Sequence, residues 1–155
     1  MATILAHQGT TRAAPTRHVV ARLKEDPAYQ AFWLLRIGFT VAPIAFGLDK
    51  FFDVLVNWDR YLAPGLNDVI PGTANQAMYA VGVTEIVAGL LVALRPRVGA
   101  YVVAAWLGAI IVNLLIIPDF YDIALRDFGL MLAALTLARL ATLSTPAHVP
   151  AEVRQ

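Results

Sequence analysis

The chain has 155 residues, one domain by length, and 12 basic against 11 acidic residues give a formal net charge of +1, a balance that offers nucleic acid no basic footprint. Apolar residues make up 59%, charged residues 15%, and the mean hydropathy is +0.64, values that fit a multi-spanning membrane protein and fit a soluble domain poorly. Cysteine is absent, which removes disulfides, thiolate metal sites and the paired-thiol chemistry of quinone-linked thiol oxidoreductases; the three histidines, His7, His18 and His148, lie in polar tails, out of reach of an intramembrane haem.

Residues 1–30 are polar and basic, with Arg12, Arg17, Arg22 and Lys24 against Glu25 and Asp26. No apolar core of a signal peptide precedes them, so the expectation is a cytoplasmic N-terminal arm, mostly disordered, with a short amphipathic helix near Val19–Leu23.

The first predicted span runs from about Ala31 to Phe52, with Arg36 near its start, Asp49 and Lys50 near its far end, and Pro43 inside. Proline removes one helical hydrogen bond, which a bundle interior tolerates. Gly38 and Ala42, four apart, offer a smooth strip for close helix contact.

In residues 53–73, Val54, Leu55, Trp58, Tyr61 and Leu62 recur at helical spacing. A short interfacial helix between spans one and two is expected, anchored at head-group level by Trp58 and Tyr61. A lid over a site is the alternative. Pro64-Gly65 and Pro71-Gly72 mark turns.

The second span, Ala74–Leu94, is the one around which the rest is organised. About 21 residues at 1.5 Å each cross a hydrocarbon layer of ~30 Å. Its single carboxylate, Glu85, is costly at that depth, roughly 2.5–3.5 kcal/mol, and must face protein and find a partner.

Arg95-Pro96-Arg97 turns the chain tightly into the third span, Val98–Ile117, which carries no charge and one strongly polar residue, Asn113. Ala100, Ala104 and Gly108 form a small-residue strip, and Pro118 ends the helix. The fourth span, from about Phe120 to Thr142, holds Arg126 and Asp127 in its early turns, a second strip at Gly129 and Ala133, and Arg139 snorkelling at its end. A disordered tail, residues 144–155, follows.

The expected architecture is therefore all-α: a four-helix transmembrane bundle over residues 31–143. Arg12, Arg17, Arg22, Lys24, Arg36, Arg95, Arg97, Arg139 and Arg154, nine of the 12 basic residues, fall on the side of both termini. Lys50, Arg60 and Arg126 fall on the other, so positive-inside places both termini in the cytoplasm.

Arg36 lies roughly 8 Å from the start of span one and Glu85 about 13 Å from the matching end of span two, an offset an arginine side chain covers. An Arg36–Glu85 pair is the expectation. At the outer side, Asp49, Lys50, Asn113, Arg126 and Asp127 lie within about two turns of the boundary, with Tyr79 at similar depth, and pairing of Lys50 with Asp127 and Asp49 with Arg126 neutralises the group. Three readings of these residues stay open. They hold the helices in register and do nothing else, they line a pocket for a quinone head group or small polar ligand, or Glu85 carries a proton or solute path.

The sequence resembles the DoxX family of bacterial membrane proteins over roughly residues 32–142. The matching pieces are Leu34-Leu35-Arg36-Ile37-Gly38, Gly47-Leu48-Asp49-Lys50-Phe51, Thr84-Glu85-Ile86-Val87-Ala88-Gly89-Leu90-Leu91, Arg97-Val98-Gly99-Ala100 and Tyr121-Asp122-Ile123-Ala124-Leu125-Arg126-Asp127. The resemblance implies a four-helix bundle in the bacterial cytoplasmic membrane. It also implies association with redox complexes, since some relatives are subunits of thiosulfate:quinone oxidoreductases. It transfers no catalytic residue. The expectation is an accessory membrane subunit or anchor of a respiratory or redox complex rather than an enzyme by itself. Lipid and other membrane subunits are its expected partners, quinone or lipid its ligand, with no covalent cofactor. The alternatives are a small proton or solute pathway using Glu85 and an assembly factor without ligand.

Overall fold

The structure, a computed structural model, describes residues 25–61, 73–117 and 120–144. Among the described residues there are four long α-helices and no strand: α1 (Pro27–Asp49), α2 (Ala74–Leu94), α3 (Pro96–Ile116) and α4 (Tyr121–Ser144), with a 3-10 turn at Trp58–Tyr61. Outside the described residues lie the arm through Lys24 and the helix expected near Val19–Leu23, the turns expected at Pro64-Gly65 and Pro71-Gly72, Pro118, all three histidines and the tail beyond Ser144.

Three of the four helix starts have a local cause. Asp26 caps α1, its carboxylate accepting from Ala28 N at 3.0 Å and Tyr29 N at 3.1 Å, and Pro27 at the first helical position gives up an N–H that no helix could use. The cap and proline place the start of α1 at Pro27, four residues ahead of the expected Ala31, and the helix closes at Asp49 rather than Phe52. Thr73 and Gln76 form a capping box at α2: Gln76 N donates to Thr73 Oγ1 at 3.3 Å, and Thr73 N to Gln76 Oε1 at 3.2 Å. Arg95 alone separates α2 from α3, and Pro96 opens α3.

The helices run up and down. α1 packs chiefly on α2 and α3 on α4, while lighter α2–α3 and α1–α4 contacts close the ring. The buried centre is rich in alanine: Ala88 on α2, Ala100 and Ala104 on α3, and Ala134, Ala138 and Ala141 on α4, joined by Phe32, Phe39, Val92, Val103 and Leu137. Small side chains let helix backbones approach where lipid would give apolar residues no incentive to cluster.

The expected small-residue strips divide. Ala100 and Ala104 do face the core. Gly38 and Gly129 have nothing within 4 Å of where a Cβ would stand, so neither glycine makes the close helix contact expected of it; Ala42 is exposed, while Ala133 packs against the core. α1 approaches α2 elsewhere. A Cβ on Gly47 would stand 2.5 Å from Gly82 O, and one on Gly89 2.8 Å from Thr40 O. This glycine seam sets the register of the α1–α2 pair.

Three helices are long and apolar enough to cross a membrane: Pro27–Asp49, Gln76–Leu94 and Pro96–Ile116. α4, with 24 residues, is as long but carries Asp122, Arg126, Asp127 and Arg139. Large apolar side chains face outward on all four helices, among them Ile37 and Val41, Val87 and Leu90, Val112 and Leu115, and Leu125 and Leu132.

Candidate functional site

Four charged side chains are buried among the described residues: Asp49, Lys50, Glu85 and Asp127, at 7%, 4%, 8% and 5% exposure. All four stood among the residues singled out from sequence. Three elements supply them: the last turn of α1 with the residue after it, the middle of α2 and the early part of α4.

The centre is an ion pair, with Lys50 Nζ donating to Glu85 Oε2 at 2.7 Å. The glycine seam explains how they meet. With Gly47 against Gly82, Lys50 starts below Glu85 and its stem runs back along α2. The missing side chain of Gly82 leaves the space, for a Cβ there would stand 3.2 Å from Lys50 Cβ. The same register rules out the expected Arg36–Glu85 pair. Arg36 is level with Ala93, whose carbonyl accepts from its Nη2 at 2.6 Å, and Ala93 stands eight residues, about 12 Å, along α2 from Glu85. The Arg36 guanidinium also lies over the Trp33 ring, 4.8 Å from its centroid.

The two expected cross-pairs are replaced as well. Arg126 turns to its own neighbour, with Nε and Nη2 both 3.1 Å from Asp127 Oδ1. Its side chain is largely exposed, whereas Asp127 is buried close enough to Glu85 for the two carboxylates to repel. Asp49 serves the loop. Its Oδ1 accepts from Val54 N and Leu55 N, each at 3.1 Å, and its Oδ2 accepts from Trp58 Nε1 at 2.7 Å.

Trp58 joins both halves of the cluster. Bonded to Asp49, its ring covers the Lys50 ammonium, which sits 3.7 Å from the ring centroid. Of the short helix expected within residues 53–73, the described part holds turns and bends over 51–57 and the 3-10 turn Trp58–Tyr61. Asp49 takes up the N–H groups of Val54 and Leu55, and the indole meets Asp49 and Lys50. Asn113 holds this turn from α3, its Nδ2 donating to Tyr61 O at 2.7 Å. Tyr79 is half-exposed and stacks on Phe51 with centroids 5.0 Å apart, outside the ionic cluster.

Sequence reasoning missed two members, Trp58 as the cover of Lys50 and Trp106 on α3. The Trp106 indole nitrogen is buried beside Glu85 and acts on its carboxylate without closing a full hydrogen bond. One signal was available for Trp106, since its position on a span without charges made its N–H a natural neighbour for the lone carboxylate of α2.

The arrangement holds one ammonium between a carboxylate and an indole face, with a second carboxylate and a second indole N–H alongside. Such a cluster can bind a carbonyl or another small acceptor, pass a proton between carboxylates, or fix four helices in register. No family model, curated protein or solved structure matches the chain.

Proposed function

We propose that this protein is a DoxX-like, four-span membrane subunit that anchors a redox assembly and contacts a quinone head group at the Lys50–Glu85 cluster. Both termini lie on the cytoplasmic side, α4 completes the crossing set, and electrons belong to a partner subunit. The observation that carries this reading is the buried Lys50–Glu85 pair itself, with the Asp127 carboxylate and the Trp106 indole beside it. A quinone carbonyl is an uncharged acceptor that a membrane-embedded ammonium or indole N–H can hold, and ionisable side chains at that depth point to a functional site by default. The apolar outward faces and the family resemblance support the setting.

Purification in mild detergent tests it, with mass spectrometry of copurifying proteins and extraction of bound quinone. The expected result is a redox subunit and quinone with the wild type, and the subunit without quinone for Trp106→Phe. A monodisperse lone protein carrying neither would overturn the reading.

A second reading, a proton pathway through Glu85, draws on the proximity of Asp127 to Glu85. Proton flux into proteoliposomes distinguishes it, because Glu85→Gln abolishes a flux that uses this carboxylate and leaves an unrelated leak unchanged.

A further inference from the structure

The segment after α1 combines two features that seldom occur together. Phe51, Phe52, Val54, Leu55 and Val56 all present their side chains outward, with Phe52, Val54 and Leu55 at 72%, 77% and 62% exposure. The segment is a loop, yet every backbone N–H from 51 to 55 is bonded within the protein. Phe51 N donates to Leu48 O at 3.0 Å, Phe52 N to Asp49 O at 2.9 Å and Asp53 N to Asp49 O at 2.7 Å. Val54 N and Leu55 N both reach Asp49 Oδ1 at 3.1 Å. Asp53, at φ 50°, makes the left-handed turn that closes this pattern, a conformation aspartate tolerates better than most residues.

A surface loop in water leaves such N–H groups to the solvent, and its exposed side chains are mostly polar. Hydrocarbon offers no acceptor, so backbone placed against lipid must bond internally. A protein partner, by contrast, brings acceptors of its own. The closed backbone and the apolar side chains therefore favour the same occupant, and Phe46 and Leu48 on the last turns of α1 are exposed and apolar as well.

We propose that residues 51–56 form a wedge seated in lipid at the boundary of head groups and acyl chains, extending the lipid-facing surface of α1. The proposal rests on the membrane reading above. Asp53, exposed in the middle of the segment, belongs at head-group level in this arrangement, and Phe52, Val54 and Leu55 are the side chains that would enter hydrocarbon.

The chain has no cysteine, so single-cysteine variants carry a fluorophore at one place only. Phe52→Cys and Leu55→Cys are compared with Val41→Cys, on the outward face of α1, and Arg60→Cys, exposed beyond the wedge. Each full-length variant is reconstituted into phosphatidylcholine vesicles with brominated or ordinary acyl chains, and iodide is added from the water. Labels at 52 and 55 are expected to lose emission to brominated chains as the label at 41 does, and to resist iodide, while the label at 60 does the reverse. Iodide quenching at 52 and 55 with lipid quenching at 41 overturns the wedge and leaves the membrane reading standing. Iodide quenching at 41 as well overturns both. Shielding at 52 and 55 that fades as protein is diluted in lipid assigns the surface to a second copy of the chain and overturns the wedge.

Discussion

Lys50 Nζ lies 2.7 Å from Glu85 Oε2, and the two residues, 35 apart in sequence, are joined across the α1–α2 seam. The pair is buried, so its halves are worth far more together than apart. Removing one partner of a buried pair costs about 3–5 kcal/mol, because the other charge is left without compensation, whereas replacing both by apolar residues is often neutral or stabilising. Lys50→Met and Glu85→Leu should each destabilise the bundle by that amount, and the double variant should recover most of it. Reversible unfolding in mixed micelles measures all three. Additive losses in the double variant would show that the pair contributes nothing as a unit.

Arg36 supplies the control. It binds Ala93 O and stacks over Trp33, with Glu85 some eight residues away along α2. Arg36→Gln should therefore cost about 1–3 kcal/mol through the lost charged hydrogen bond. Its coupling to Glu85→Leu should stay within about 0.5 kcal/mol, the range for sites without shared contacts. A coupling as large as that between Lys50 and Glu85 would restore the Arg36–Glu85 pair expected from the sequence.

The glycines separate seam from surface. A Cβ on Gly82 would stand 2.6 Å from Gly47 O, a backbone atom that cannot move aside alone, and it would also crowd the path of the Lys50 stem. Gly82→Ala should cost about 1–3 kcal/mol from overpacking, more if the ion pair is disturbed. Gly38→Ala meets nothing within 4 Å and should be neutral or gain up to about 1 kcal/mol from helix propensity. Thermal unfolding of the two variants side by side checks the contrast.

The division between what the sequence disclosed and what it withheld follows from the same seam. The helical class, the bounds of α2 and the burial of Asp49, Lys50, Glu85 and Asp127 were legible, because long apolar runs and costly charges leave few arrangements. Partner choice was not. It depends on how two helices slide past each other, and shifting α1 by two turns exchanges Arg36 for Lys50 opposite Glu85. That offset is set by Gly47, Gly82 and Gly89, which look no different in sequence from Gly38 and Gly129, whose sites are open. Spacing alone cannot tell a small residue that admits a neighbouring backbone from one without such a neighbour. Asp49 was misjudged for another reason. Its partners are the backbone of a loop and one indole, and a loop without periodicity leaves no pattern from which to read them.

Asp49 gives the sharpest test of that loop. Its two oxygens hold two backbone N–H groups and the Trp58 indole, so one residue fixes the loop and the cover of Lys50 together. Asp49→Ala leaves all three donors without an acceptor. At about 1–3 kcal/mol for each buried donor left bare, and less for any that water reaches, a loss near 3 kcal/mol is expected. Trp58→Phe keeps a ring over the ammonium and surrenders only the 2.7 Å bond, so it should cost about half as much. The two variants part company in hydrogen exchange. The amides of Val54 and Leu55 should exchange much faster in Asp49→Ala, where their acceptor is gone, and near the wild-type rate in Trp58→Phe, where it remains. Unchanged protection of both amides in Asp49→Ala would mean that something other than this carboxylate holds the loop. The fixed position of Trp58 over Lys50 would then need another cause.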